Sequence, residues 1–107
     1  MSTTLAQIQA LAARSELRIS AHGYDELAAD NILAGDPITG LPRARVVEDY
    51  PAFPKGPCVL VLQEDPAGLP IHVVWDIPLG KDSPGVLVTA YRPDPTQWDE
   101  TFRRRRS

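Results

Sequence analysis

One cysteine, two histidines, one methionine and no long apolar run: the scarcities of this 107-residue chain already exclude whole classes of protein. Cys58 has no partner for a disulfide, and its place in the run "PCVLVL" marks it as a buried, inert thiol. Without a second cysteine there is no thiolate zinc site. The two histidines and the carboxylates of Asp25, Glu26 and Asp30 follow no ligand spacing, so neither a metal nor a cofactor is expected. Phosphate-cradling glycine loops and nucleophile elbows are absent as well. No apolar stretch approaches the ~20 residues that cross a bilayer. The start "MSTTLAQIQALAAR" is amphipathic rather than a basic lead into a continuous apolar core. A cytoplasmic protein without membrane contact is expected.

Positive charge is scarce outside one place. The chain has 11 Lys+Arg against 14 Asp+Glu, a net of −3. Arg103 to Arg106 hold four of the positives; without them seven face fourteen, a net of −7. Such a body is a poor general surface for phosphates, so any RNA binding would need a local basic patch or the tail. What remains is an ordinary globular composition, 43% apolar and 23% charged. It predicts one domain over residues 1–100 and a basic, disordered tail over 101–107.

Along that domain the eleven prolines and seven glycines fall mostly between short patterned segments. Leu5, Ile8, Leu11 and Ala12 keep a three-and-four spacing behind Ser2, Thr3 or Thr4 as N-cap, which predicts a helix of about three turns. "LRI" reads as a brief extended link. Ser20 reads as the N-cap of a second helix over "AHGYDELAAD", which Gly23 weakens by about 1 kcal/mol relative to alanine. "GDPITGLP" offers one more turn, with Asp36 as cap and Pro37 in the first helical position. After Pro42 the pattern becomes extended: "RARVVEDY", "PCVLVLQE", "PIHVVWDI" and "GVLVTAYR", joined by links too short for parallel crossovers. The expected fold is α+β, two or three short N-terminal helices packed on a four-stranded antiparallel sheet. Asp94 and Pro95 open a last turn that brings Trp98 back to the core.

Strict alternation puts Ile71, Val73, Trp75 and Ile77 on one face and His72, Val74 and Asp76 on the other. It divides the last strand into Val86, Val88 and Ala90 against Leu87, Thr89 and Tyr91. In a hairpin His72 then lies opposite Thr89 or Tyr91, with Arg92 beside them. An imidazole that exchanges protons near neutral pH, a guanidinium for phosphate and a hydroxyl to orient substrate would suit a metal-free ribonuclease. His22, near the start of the second helix, would complete an acid/base pair if that helix end lay beside His72. The alternative for each histidine is a hydrogen bond to a neighbour or a capping role. Glu48, Asp49 and Tyr50 form a polar strand end, and Tyr50, Phe53 and Trp75 are candidate anchors for a protein partner.

"RISAHGYDEL", "VVEDYP", "PIHVVW" and "VLVTAYRPDPTQW", in that order over residues 17–98, resemble the domain of unknown function 4258 family. That family is similar to RelE, ParE and BrnT-like toxins, small helix-and-sheet proteins that share the fold of barnase-type nucleases. The resemblance implies a type II toxin acting as a metal-independent endoribonuclease, with an antitoxin protein as partner and RNA as substrate. Its motif residues fall on Ser20, His22, His72, Val73, Val74, Thr89, Tyr91, Pro93, Asp94 and Pro95. His22 and His72 would share the proton transfers, Arg92 would hold phosphate, and Tyr91 and Thr89 would position. Many relatives carry two helix arginines after the first histidine. Here the stretch is "YDELAAD", and Arg43, Arg45 and Arg92 are left to compensate. The rival reading is a non-catalytic protein-binding domain that retains the fold.

Overall fold

A computed structural model describes residues 2–107. Helix α1 spans Thr3–Ala13, and the Ser2 hydroxyl accepts from the Leu5 amide at 3.0 Å, making Ser2 its cap. Leu5, Ile8 and Leu11 are its buried stripe. The link "LRI" is a strand, β1 (Leu17–Ile19). Helix α2 covers Ala21–Ala29 with Ser20 as cap: the Ser20 hydroxyl accepts from the Gly23 amide at 2.9 Å and donates to the Val88 carbonyl. Gly23 is there for contact. A Cβ on it would stand 2.8 Å from the Leu87 carbonyl oxygen, so α2 settles closer to the sheet than any side chain would permit. Helix α3 (Gly35–Gly40) leads into a 3₁₀ turn at Leu41–Arg43. Asp36 does not cap α3 as expected; Ala34 occupies that position without a side-chain bond, and Asp36 lies in the first turn.

The remaining strands are β2 (Arg45–Tyr50), β3 (Cys58–Glu64), β4 (Pro70–Asp76) and β5 (Gly85–Tyr91). The sheet order is β1-β5-β4-β3-β2. Four strands form the expected antiparallel meander, but β1 adds a fifth, parallel to β5, so the sheet is mixed. Three residues are too few for alternation to reveal a strand; β1 exists because β5 offers it a free edge.

Two β-bulges change which residues share a face. One leaves Val47 unpaired, since Val46 pairs Val61 and Glu48 pairs Leu60. The other leaves Val88 unpaired between Thr89, opposite Val74, and Leu87, opposite Trp75. An extra residue reverses parity. Leu87 and Ala90 therefore face the helices together, while Val86, Thr89 and Tyr91 face the other way, correcting the division drawn from strict alternation. On the helix side Val59, Val61, Ile71, Val73, Trp75, Ile77, Leu87 and Ala90 pack against Leu5, Ile8, Leu11, Leu27, Ile32 and Leu41. Trp75 lies in this core, completely buried, with its indole donating to Gln63 Oε1 at 3.0 Å. It anchors the fold and is closed to a partner. Among the described residues no helix is long and apolar enough to cross a membrane.

Candidate functional site

The sheet face away from the helices carries the predicted residues in paired rows. Arg45, Leu62, His72 and Tyr91 form one row; Glu48, Leu60, Val74 and Thr89 form the next. His72 thus pairs with Tyr91, one of its two expected partners. It is 0% exposed, however, because the C-terminal segment folds over it. Asp94 Oδ1 accepts from the amide and hydroxyl of Thr96, turning the chain so that Trp98 meets the His72 ring edge-on at 4.5 Å. Trp98 is buried as expected, but against this second face rather than in the helix-side core.

The arginine run does not form a disordered tail. Asp99 N donates to the Arg104 carbonyl at 2.9 Å and Arg106 N to that of Gln97 at 2.8 Å, closing a hairpin bridged between Trp98 and Arg105. Arg105 grips Glu48 through two nitrogens at 2.9 and 3.2 Å and lies 4.6 Å over the Trp98 ring. Its hydrogen bond holds the Glu48 carboxyl below the ordinary range. At the hairpin's tip Phe102 adopts a φ of 56°, left-handed backbone that is costly for a bulky residue. That conformation turns its carbonyl onto His72 Nε2 at 2.7 Å.

The tautomer of His72 follows. A carbonyl only accepts, so Nε2 carries the proton and Nδ1 is left to accept from the Tyr91 hydroxyl at 3.3 Å. Both ring nitrogens are engaged in a neutral imidazole, and burial lowers its pKa from the ordinary 6.5. Burial likewise raises that of Tyr91. Thr89 is half-buried in the neighbouring row.

Arg92 and His22 lie elsewhere. The Arg92 guanidinium pairs with Asp65 at 2.9 Å and donates to the Pro70 carbonyl, while its amide donates to Asp30 Oδ2 at 2.7 Å. It clamps the β3–β4 turn to the end of α2. His22 is exposed on α2, on the helix side of the sheet, with Glu26 one turn on at 3.4 Å. The sheet separates the two histidines, and no acid/base pair forms between them. Cys58 is half-buried, not fully buried; burial first, and then Asp76, raise its thiol pKa. Among the described residues no group of three or more histidine, cysteine or acidic side chains is arranged to hold a metal.

Sequence reasoning missed the seam between β2 and the terminal hairpin. Arg43, Arg45, Leu62, Glu64 and Phe102 help to line a cleft of about 280 Å³. Directly along the chain, Val46, Val47, Asp99, Thr101, Arg103 and Arg104 line a second of about 650 Å³. Arg103 ties the hairpin to β2 at the second cleft by donating to the Val46 carbonyl at 3.2 Å. Four of the chain's 11 cationic residues (Arg43, Arg45, Arg103 and Arg104) line these two clefts. The signal was the opposition of four terminal arginines to an acidic body; their meeting with Arg43 and Arg45 depends on contacts 57 residues apart in sequence.

Residues 19–92 match a family described as Domain of unknown function (DUF4258), and the chain belongs to that family. No curated protein and no solved structure matches it.

Proposed function

We propose that this DUF4258 domain works by binding a protein partner, keeping a fold of the RelE, ParE and BrnT-like toxin kind without histidine acid/base chemistry. The observation that carries this reading is the state of His72: fully buried, neutral, and hydrogen-bonded at both ring nitrogens. A general base needs a free lone pair within reach of its proton. His72 has none to offer, and neither Arg92 nor His22 reaches it. Tyr50 and Phe53, each 46% exposed at the β2–β3 turn, suit the partner, with Leu79 tied beside them through its amide to Lys55. An antitoxin-type protein is the partner this reading favours. The test is incubation of the folded protein with several RNAs, with and without EDTA. Uncut RNA is the expected outcome.

A second reading, a metal-independent endoribonuclease, draws on one specific feature. The cleft holding Arg43 and Arg45 lies against the His72 row, with Phe102 between them. Were the hairpin to lift, His72, Tyr91 and Thr89 would face that cleft, and Arg45 would take the phosphate role first given to Arg92. EDTA-resistant cleavage that disappears in a folded His72→Gln variant would replace the binding proposal with this one.

A further inference from the structure

We infer that the seam between β2 and the terminal hairpin is a binding groove for single-stranded nucleic acid, one that shares Arg45 and Leu62 with the His72 row but needs no acid/base chemistry from it, and that is separate from the aromatic patch at Tyr50 and Phe53. A strand of phosphodiesters needs a concave track of cations and a flat ring on which a base can stack. The seam supplies both. Arg43 and Arg45 line the first cleft and make no ion pair among the described residues; Arg103 and Arg104 line the second. Phe102 lines the first cleft. Its left-handed backbone is explained on the inner side by the bond to His72, and the same turn sets the residue at the cleft wall.

Three carboxylates lie along the seam. Glu48 is neutralised by Arg105, whereas Asp99 accepts from the amide and hydroxyl of Thr101 and keeps its charge at the second cleft, beside Arg103 and Arg104. Glu64 alone lines the first cleft as an unpaired carboxylate, which would set a limit on affinity. An added peptide strand is the competing occupant for an edge like β2, but the Val47 bulge and the Arg103 bond to Val46 interrupt the ladder such a strand would extend. Guanidiniums favour phosphate oxygens, which they can hold bidentately.

The experiment is fluorescence anisotropy of the full chain with labelled oligouridylate and oligothymidylate, titrated at low salt (about 50 mM) and again at about 200 mM. Binding should weaken with salt. The double variant Arg43→Glu, Arg45→Glu should lose about tenfold or more and flatten the salt slope by about 0.7 per lost phosphate contact. Phe102→Gly accepts the left-handed φ, so it removes the ring while keeping the turn, and should weaken binding several-fold. Glu64→Gln should tighten it. Arg14→Glu, a charge change outside the seam, should leave affinity within about twofold. No binding at low salt, equal loss in Arg14→Glu, or equal competition by polyglutamate would each overturn the assignment, the last in favour of an acidic protein. Binding without cleavage leaves the protein-partner reading standing, so the two proposals fail separately.

Discussion

Phe102 stands between two regions of opposite character. On its inner side, His72, Tyr91 and Trp98 form a knot in which both imidazole nitrogens have partners and the rings of Trp98 and Tyr91 meet the imidazole edge-on. On its outer side, Arg43 and Arg45 have no partner among the ion pairs and hydrogen bonds of the described residues. The first region holds the residues that look catalytic in the sequence. The second holds residues that look like loose ends. A titratable side chain in an apolar run is desolvated by its neighbours and must find internal partners or be costly to bury. A guanidinium at an edge keeps its water until a ligand replaces it.

Breaking the knot should give the largest effects. Trp98→Ala removes the ring that both covers His72 and seats Arg105, and should cost about 4 kcal/mol of unfolding free energy in a urea titration. A loss below about 1 kcal/mol would mean that the hairpin is an appendage, leaving His72 open. His72→Ala should cost about 3 kcal/mol, because it opens a cavity and leaves the Phe102 carbonyl without its donor. The pH dependence sharpens this. The folded pKa of His72 lies below the unfolded 6.5, so the folded state binds fewer protons in that interval. Its contribution is complete above about pH 6.5 and is lost as pH falls from there toward the folded pKa. His72→Gln should flatten that part of the stability profile; an unchanged profile would place the titration on another group.

Much of the frame was legible. The helix spacings, the cap at Ser20 and the four long strands all rest on local pattern, and hairpin logic narrowed the partner of His72 to Thr89 or Tyr91, of which the register selects Tyr91. What could not be read depended on single residues or on distance. Val88 reverses the parity of β5, and nothing in "GVLVTAY" marks it, because valine suits either face. β1 is too short to show alternation. The tail's arginines resemble any solvated terminus until Glu48, 57 residues away, is known to face them. Of the expected site residues, His72, Thr89 and Tyr91 do share one face whereas His22 and Arg92 do not, and the burial of His72 depended on a segment whose composition predicts disorder.

At the border between the regions the effects should shrink. Arg105→Ala removes an exposed bidentate pair and a cation over Trp98, worth at most about 1 kcal/mol, and less as salt rises. The hairpin should then become more susceptible to limited proteolysis while the sheet stays folded. A loss as large as that of Trp98→Ala would show that the knot extends outward to the ion pair.

The smallest stability effect belongs to the seam. Arg43→Ala with Arg45→Ala should change unfolding free energy by no more than about 0.5 kcal/mol, since neither side chain has an internal partner to lose. Removing two like charges from the four arginines that line the clefts relieves repulsion, so the sign should be slightly stabilising at low salt and vanish at high salt. The same variant should show the loss of oligonucleotide affinity described above. The two readouts together separate the regions: variants in the knot lose stability first, whereas variants in the seam lose affinity at constant stability. If Arg43 and Arg45 proved as costly to remove as His72, the cleft would be part of the scaffold, and its open arginines would have internal partners in solution.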